Sequence, residues 1–109
     1  MNILQLRSEF SDNGPGTQAL TISEELKLRG YRVIFCSSGG KLTDKILKCG
    51  YRYRIIKELA LEKRNFFNVI KAVFELSKVL KEEEINIVHT HNAASVFLVK
   101  MASLLVFKK

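Results

Sequence analysis

The sequence predicts an α/β fold, a Rossmann-like parallel sheet with helices on both faces. Segments of strand length alternate with segments whose apolar residues recur at helical spacing, in the order βαβαβαβα. The second strand segment is apolar from Val33 through Cys36, which indicates burial on both faces, as in a parallel sheet. Because strand–helix–strand crossovers are right-handed, we expect the strand order 3-2-1-4.

The first half of the chain supplies two strands and an amphipathic helix. Residues 2–6, NILQL, predict a short apolar strand, and the polar residues 7–16 predict a loop. Apolar residues recur at helical spacing over 17–29, with Thr17 as the expected N-cap and a glycine just beyond the end. The second strand is YRVIFCSS, residues 31–38.

The third strand differs from the second in its alternation. A short helix is expected over residues 42–48, followed by the strand YRYRII at 51–56. Tyrosine and arginine alternate there, so the charges fall on one face, which is typical of an edge strand. The same pattern could stack bases and contact phosphates. Edge-strand patterning explains it without nucleic acid, and we expect no nucleic-acid partner.

The second half supplies the longest helix, a fourth strand and a last helix. Residues 65–81 form an amphipathic helix whose apolar side, which includes Phe66, Ile70 and Phe74, is expected on the sheet. The glutamates at 82–84 predict a solvated turn. INIVHTH (85–91) is the fourth strand, and the mostly apolar residues 93–107 form the last helix.

Two unusual segments are predicted to meet at one place. In open parallel sheets, ligands bind beyond the carboxyl ends of the strands, at the point where the strand order reverses. Strands 1 and 4 flank that point and end in residues 7–16 and in HTHN, 89–92. A histidine in such a cleft suits acid–base chemistry at neutral pH. The alternative is a hydrogen-bonded histidine at a strand end without chemistry.

The two histidines also suggest a metal site. His89 and His91 lie on one face of a strand, because side chains alternate with period two, and such a pair can chelate zinc if a third ligand is present. The carboxylates Glu9, Asp12 and Asp44 show no ligand-like spacing. We therefore expect no metal.

The glycine-containing segment GPGTQA (14–19) matches G-x-G-x-x-A. A dinucleotide fingerprint follows its strand directly, whereas a longer polar stretch intervenes here, and no acidic residue ends the second strand. A simpler interpretation is that Gly14 and Gly16 allow close approach to a ligand. Backbone N–H groups near Thr17 would then hold a phosphate or a sugar hydroxyl. The alternative is a turn that only caps a helix.

The chain is basic, with 18 Lys+Arg against 11 Asp+Glu and a net charge of +7. This balance suits phosphates or an acidic membrane surface, or serves solubility alone. Residues 62–81 could make a peripheral membrane contact through lysine, arginine and exposed Phe66 or Phe67. The apolar stretch 93–107 falls short of the ~20 residues that span a bilayer.

Cys36 and Cys49 form no CxxC pair and are expected to be reduced.

The order and spacing of these segments resemble the N-terminal domain of a family 4 glycosyltransferase, of the retaining GT-B type. The resemblance is carried by the paired glycines, by ELKLRGYRV (25–33), and by INIVHTHN (85–92) followed by a helix rich in small residues. Two positions depart from the family's pattern. Tyr31 stands where a histidine is common, and Pro15 separates glycines that are usually adjacent.

The resemblance implies an enzyme that transfers a sugar from a nucleotide-diphosphate sugar to a carbohydrate or lipid-linked acceptor, without a metal or other cofactor. It implies that His91 lies beside the transferred sugar as the catalytic candidate, and that His89 is structural. The implied substrate-binding residues are Gly14, Gly16, Thr17 and Asn92. The implied setting is the cytoplasm, peripheral to the inner membrane face, in cell-envelope polysaccharide biosynthesis.

The resemblance also implies that residues 1–109 are an acceptor-side domain and that a C-terminal, donor-binding domain is absent. The chain alone is then expected not to turn over substrate, and strand 4 would be an exposed edge open to self-association. The alternative is a stand-alone Rossmann-like module that binds a phosphate-bearing ligand or a protein partner without catalysis.

Overall fold

The computed structural model describes residues 1–10, 14–60, 65–90 and 93–107, without the side chains of 14–15, 93–95 and 104–107. Strands and helices alternate along these ranges, as the sequence predicts. The elements are β1 (Asn2–Leu6), α1 (Gly14–Leu28), β2 (Arg32–Ser37), α2 (Thr43–Lys48), β3 (Arg52–Ile55), a 3-10 turn (Lys57–Leu59), α3 (Phe66–Glu82), β4 (Ile87–Thr90) and α4 (Ala93–Phe107).

The four strands form one parallel sheet in the order β3-β2-β1-β4, which confirms the predicted topology. Leu4 of β1 lies opposite Ile34 of β2 and Val88 of β4. The two central strands are buried along most of their length, whereas β3 is exposed at both of its ends. This difference accounts for the apolar run in β2 and confirms that the alternating YRYRII segment is an edge strand.

Helices cover both faces of the sheet, and each face has its own apolar core. On one face, Leu4 and Ile34 pack with α3, α4 and the 3-10 turn. On the other face, Val33 and Phe35 pack with α1 and α2. Full burial of one large apolar side chain contributes about 1.5–3 kcal/mol. The two cores therefore hold the strand ends in fixed positions.

Helix α1 begins at Gly14, earlier than the sequence predicts, so the expectation that Thr17 is its N-cap is wrong. Gly14, Pro15 and Gly16 form the first turn of the helix instead of a preceding loop. Proline suits this turn because its fixed φ is helical and its missing N–H would have no intrahelical partner there. The predicted C-terminal glycine is confirmed, since Gly30 has a φ of 91°.

The sequence predicts a solvated turn at residues 82–84, and this holds for the exposed Glu82 and Glu84 but not for Glu83. Glu83 is buried, and its carboxylate accepts hydrogen bonds from Arg32 Nη2 (2.6 Å), Arg52 Nε (2.5 Å) and Arg54 Nη1 (2.9 Å). These arginines belong to β2 and β3, whose amino ends lie under the C-terminus of α3. The charged face of the YRYRII strand is therefore paired with Glu83. Within the described ranges, no helix is long and apolar enough to cross a membrane.

Candidate functional site

The candidate site lies at the carboxyl edge of the sheet, where the segments after β1 and β2 bind each other. Ser8 O accepts hydrogen bonds from Ser38 N (2.9 Å) and Ser38 Oγ (2.6 Å). Phe10 N donates to Gly39 O at 2.9 Å, and Leu42 N donates to Phe10 O at 3.2 Å. These bonds join residues 8–10 to residues 38–42 as one rigid rim.

Gly40 makes the closest approach in this rim. Its φ is 129°, and a Cβ atom at this position would lie 2.0 Å from Phe10 O. Only glycine avoids that overlap and also tolerates the positive φ. The Phe10 side chain is fully buried, and its ring meets the Phe35 ring edge-on at 5.3 Å. The rim is thus anchored in the core on the α1–α2 face.

A pair of hydroxyl groups that the sequence does not predict supports the same rim from below. Ser37 Oγ and Tyr53 OH share a hydrogen bond, and Ser37 Oγ also donates to Gly39 O at 3.1 Å. Burial raises the pKa of Tyr53, with smaller and opposing effects from its hydroxyl partners. The sequence signal that could have indicated this pair is the alternation in β3, which puts the tyrosines on one face of the strand and the arginines on the other. Ser37 is fully buried, so this pair supports the rim from inside the fold.

The predicted glycines lie at the start of α1, next to this rim in the fold. Since α1 follows a parallel strand, its first turn is at the carboxyl edge of the sheet. Gly16 is buried there and Thr17 is exposed. The first-turn N–H groups of a helix carry a partial positive charge and suit a phosphate or a hydroxyl oxygen. An open groove of about 530 Å³ begins at Thr17 and continues along Gln18, Thr21 and Ile22.

The fourth strand reaches the same edge. His89 lies opposite Gln5 of β1, so the two side chains share the face of the sheet that α1 covers. Gln5 is fully buried and His89 is half-buried. His91 and Asn92, the predicted catalytic and substrate-binding residues, lie outside the described residues. The structure thus brings Gly14, Gly16 and Thr17 to the carboxyl edge where β4 ends, and leaves the roles of His91 and Asn92 as predictions.

Among the described residues, no three histidine, cysteine, aspartate or glutamate side chains form a metal-binding group. Both cysteines are free, and Cys36 is fully buried. Burial raises the pKa of the Cys36 thiol to about 12, so it stays protonated at neutral pH and is a poor nucleophile. Backbone amides and hydroxyls at the described part of the edge can donate hydrogen bonds to a ligand.

Comparisons with known proteins agree with this architecture. The model of Glycosyltransferase Family 4 matches residues 12–108. The chain is similar to a crystal structure of a glycosyltransferase from Rickettsia africae ESF-5, with a TM-score of 0.77 and 21% identity. That similarity covers 95% of this chain and 27% of the Rickettsia chain, and at this identity it shows the fold alone.

Two relatives are tRNA modification GTPases MnmE from Helicobacter pylori, strains 26695 and Shi470. Each is 33% identical to this chain over 94 residues, which cover 84% of this chain. The same alignments cover 19% of each relative, so the chain spans about a fifth of their length.

Proposed function

Because this chain belongs to glycosyltransferase family 4, we propose that it is the acceptor-side part of an enzyme that transfers a sugar from a nucleotide-diphosphate sugar. The proposed acceptor is a carbohydrate or a lipid-linked saccharide, and the proposed setting is cell-envelope polysaccharide synthesis in the cytoplasm. The observation that carries the proposal is the family match over residues 12–108, which includes the start of α1 and residues 89–92 but not residues 8–10 of the rim.

In this proposal, the start of α1 binds the diphosphate of the donor. When the bond between the sugar and the diphosphate breaks, negative charge develops on the departing phosphate oxygen. Amides of the first helical turn, around Gly16 and Thr17, stabilise that charge without reorganisation, because the turn is already fixed on the sheet. The rim held by Gly40 keeps the entrance to this turn in place.

His91 is the proposed catalytic residue. It follows β4 directly, and by that position it would hydrogen-bond the transferred sugar beside the start of α1. Asn92 would add a second polar contact. The chain spans 27% of the glycosyltransferase structure that it resembles, so we propose that a second, nucleotide-binding domain completes the cleft. The proposal includes no metal and no other cofactor.

Two other partners are left out of the proposal. A phosphate-binding loop of GTPases has the pattern G-x-x-x-x-G-K-[ST], but here Gly40-Lys41 is followed by Leu42, and Phe35 stands where the first glycine belongs. We therefore do not carry GTP hydrolysis over from the Helicobacter relatives. A nucleic-acid partner is also left out, because Arg52 and Arg54 are hydrogen-bonded to Glu83.

The proposal is tested in two steps. First, residues 1–109 labelled with 15N are titrated with uridine diphosphate and with inorganic phosphate. We expect chemical-shift changes centred on residues 14–18, and changes centred elsewhere would contradict the assignment of this site. Second, the DNA beyond codon 109 is read for a second α/β domain, which is then joined to this chain for an assay of nucleoside-diphosphate release.

In that two-domain protein, His91→Ala should lower turnover at least 100-fold, with an unchanged circular dichroism spectrum. His89→Ala is the matched control, because His89 is proposed to be structural. Unchanged turnover in His91→Ala would remove His91 from the site. Phosphate binding at residues 14–18 without any sugar transfer would favour the alternative, a stand-alone binding module.

A further inference from the structure

Tyr53 lies on the edge strand β3, yet its hydroxyl group reaches the rim of the candidate site. It shares a hydrogen bond with Ser37 Oγ, at the end of β2, and lies 3.5 Å from Gly39 O. Its ring packs against the rings of Phe35 and Phe10, with centroids 6.3 Å apart in both pairs. One side chain of the outermost strand therefore contacts both segments of the rim.

The number of available protons fixes the direction of these hydrogen bonds. Gly39 N donates to Ser37 Oγ at 3.0 Å, and Ser37 Oγ donates to Gly39 O at 3.1 Å. A serine hydroxyl has one proton to donate, so Tyr53 is the donor in the bond that the two hydroxyls share. The opposite direction would replace the 3.1 Å bond to Gly39 O with the 3.5 Å contact from Tyr53, which is the weaker arrangement.

The bond from Tyr53 differs from the other bonds of the rim in what it connects. The bonds between Ser37 and Gly39 are local and move together with the turn that contains both residues. The bonds between residues 8–10 and 38–42 hold the two segments to each other, so the segments shift as one body. Tyr53 ties that body to β3, whose register on β2 places Tyr53 opposite Phe35. Its hydroxyl therefore limits movement of the rim relative to the sheet.

The rim leads directly into the candidate phosphate-binding turn. Residues 11–13 separate Phe10 from Gly14, and at roughly 3.5 Å per residue this connection spans at most about 14 Å. Phe10 also shares a core cluster with Ala19 and Leu20 of α1. A shift of the rim is therefore transmitted to the start of α1, both along the chain and through the core.

We propose that Tyr53 is a positioning residue for the ligand site at the start of α1. Its hydroxyl holds the turn at residues 37–39, that turn holds residues 8–10, and these place the amides of Gly16 and Thr17. Backbone amides bind an anion well only when they are fixed before it arrives, so a hydroxyl outside the site can change the affinity without touching the ligand. This inference rests on the proposed function, because the phosphate site is the one named there.

Tyr53→Phe tests the proposal, and Tyr51→Phe is the matched control. Side chains alternate along this segment, so the two tyrosines point to the same face of the sheet. Both rings pack on Phe35, with centroid distances of 5.1 Å for Tyr51 and 6.3 Å for Tyr53. Tyr51 precedes the first residue of β3 and therefore lies at the end of the strand away from the rim. Each variant loses one phenolic oxygen, and the two differ in where that oxygen lies.

The measurement is uridine diphosphate binding to 15N-labelled residues 1–109, followed at the amides of residues 14–18. Tyr53→Phe should weaken this binding roughly five-fold or more, which is the effect of about one lost hydrogen bond. Tyr51→Phe should bind like the parent chain. Circular dichroism and urea unfolding establish that both variants are folded under the conditions of the titration. A merely structural role would lower the stability and leave the dissociation constant of the folded protein unchanged.

Ser37 supplies a second check through a double-mutant cycle. Because the two hydroxyls are proposed to act as one unit, Ser37→Ala/Tyr53→Phe should bind uridine diphosphate no more weakly than the weaker of the two single variants. Additive losses in the double variant would overturn the coupling on which the role of Tyr53 depends.

The remaining outcomes separate this inference from the proposed function. A parent chain that does not bind uridine diphosphate at residues 14–18 would overturn the proposed site, and with it the role of Tyr53. Binding in the parent chain that Tyr53→Phe retains in full, or that Tyr51→Phe weakens equally, would overturn the role of Tyr53 alone.

Discussion

Glu83 is the clearest point at which one charge holds distant parts of the fold together, and Glu83→Gln is the perturbation that measures it. Arg32, Arg52 and Arg54 reach its carboxylate from two strands, while Asn2 Nδ2 donates to its backbone carbonyl oxygen at 3.1 Å. The glutamine side chain has nearly the same shape but no charge. It therefore leaves three guanidinium groups around a neutral amide.

The size of the effect follows from the pKa of Glu83. Burial alone would raise it, but hydrogen bonds from Arg52, Arg32 and Arg54 outweigh burial and lower the pKa from 4.5 to about 2. Each pKa unit corresponds to ~1.4 kcal/mol, so this difference corresponds to about 3 kcal/mol at neutral pH. The Arg32 and Arg52 side chains are 48% and 61% exposed to solvent, and screening reduces the expected value to about 2 kcal/mol.

The pH dependence has a definite direction. Since the folded pKa is lower than the unfolded pKa, the contribution is complete above about pH 4.5 and disappears as the pH falls towards 2. We expect Glu83→Gln to lower the free energy of unfolding by about 2 kcal/mol at pH 7, and the difference from the parent chain to shrink between pH 4.5 and pH 3. Urea unfolding followed by circular dichroism at several pH values measures both.

Glu82→Gln is the matched control, because Glu82 also bonds Arg54, at 2.7 Å, but is mostly exposed. Its cost should stay below about 0.5 kcal/mol at every pH. The reasoning would be refuted by equal costs for the two variants at pH 7. A cost for Glu83→Gln that stays constant down to pH 3 would refute it as well.

Two backbone predictions complete the set. Gly40→Ala should lower the free energy of unfolding in urea by about 3 kcal/mol, because the added Cβ would overlap Phe10 O. Gly39→Ala is the control and should cost about 1 kcal/mol, because Gly39 has a φ of 124° but no atom within 4 Å of an added Cβ. Equal costs for the two variants would exclude the overlap as the cause. Glu84 lies two residues beyond the end of α3 and has a φ of 53°, so Glu84→Gly should raise the melting temperature by relieving about 1 kcal/mol of backbone strain. A lower melting temperature would contradict this.

Part of the candidate site was predictable from local pattern. Glycines after the first strand, followed by a helical stripe, placed Gly14, Gly16 and Thr17 near a helix start, and the strand order placed that start at the carboxyl edge. The exact start was wrong, because proline in a first helical turn looks like a loop residue when it is read alone. The Ser37–Tyr53 pair was not predicted, since it joins two strands through side chains that the sequence separates.

Helix α3 shows the same limit. Its periodicity predicted a helix correctly, but Phe66, Ile70 and Phe74 were expected on the sheet and lie exposed instead. Apolar residues cover more than half of the circumference of this helix, so the pattern leaves open which of them face the core. The sheet decides, because it can cover only one side.

The sequence by itself determined the order of strands and helices, the parallel sheet and its edge strand, because these depend on hydrophobic periodicity and on the handedness of crossovers. Only the tertiary structure decided that Glu83 is buried, that Gly40 must lack a side chain and that α3 presents a second apolar face. Each of these depends on a contact, or on the lack of one, between residues far apart in the chain. Local periodicity carries no information about such pairs, which are set by how the layers pack.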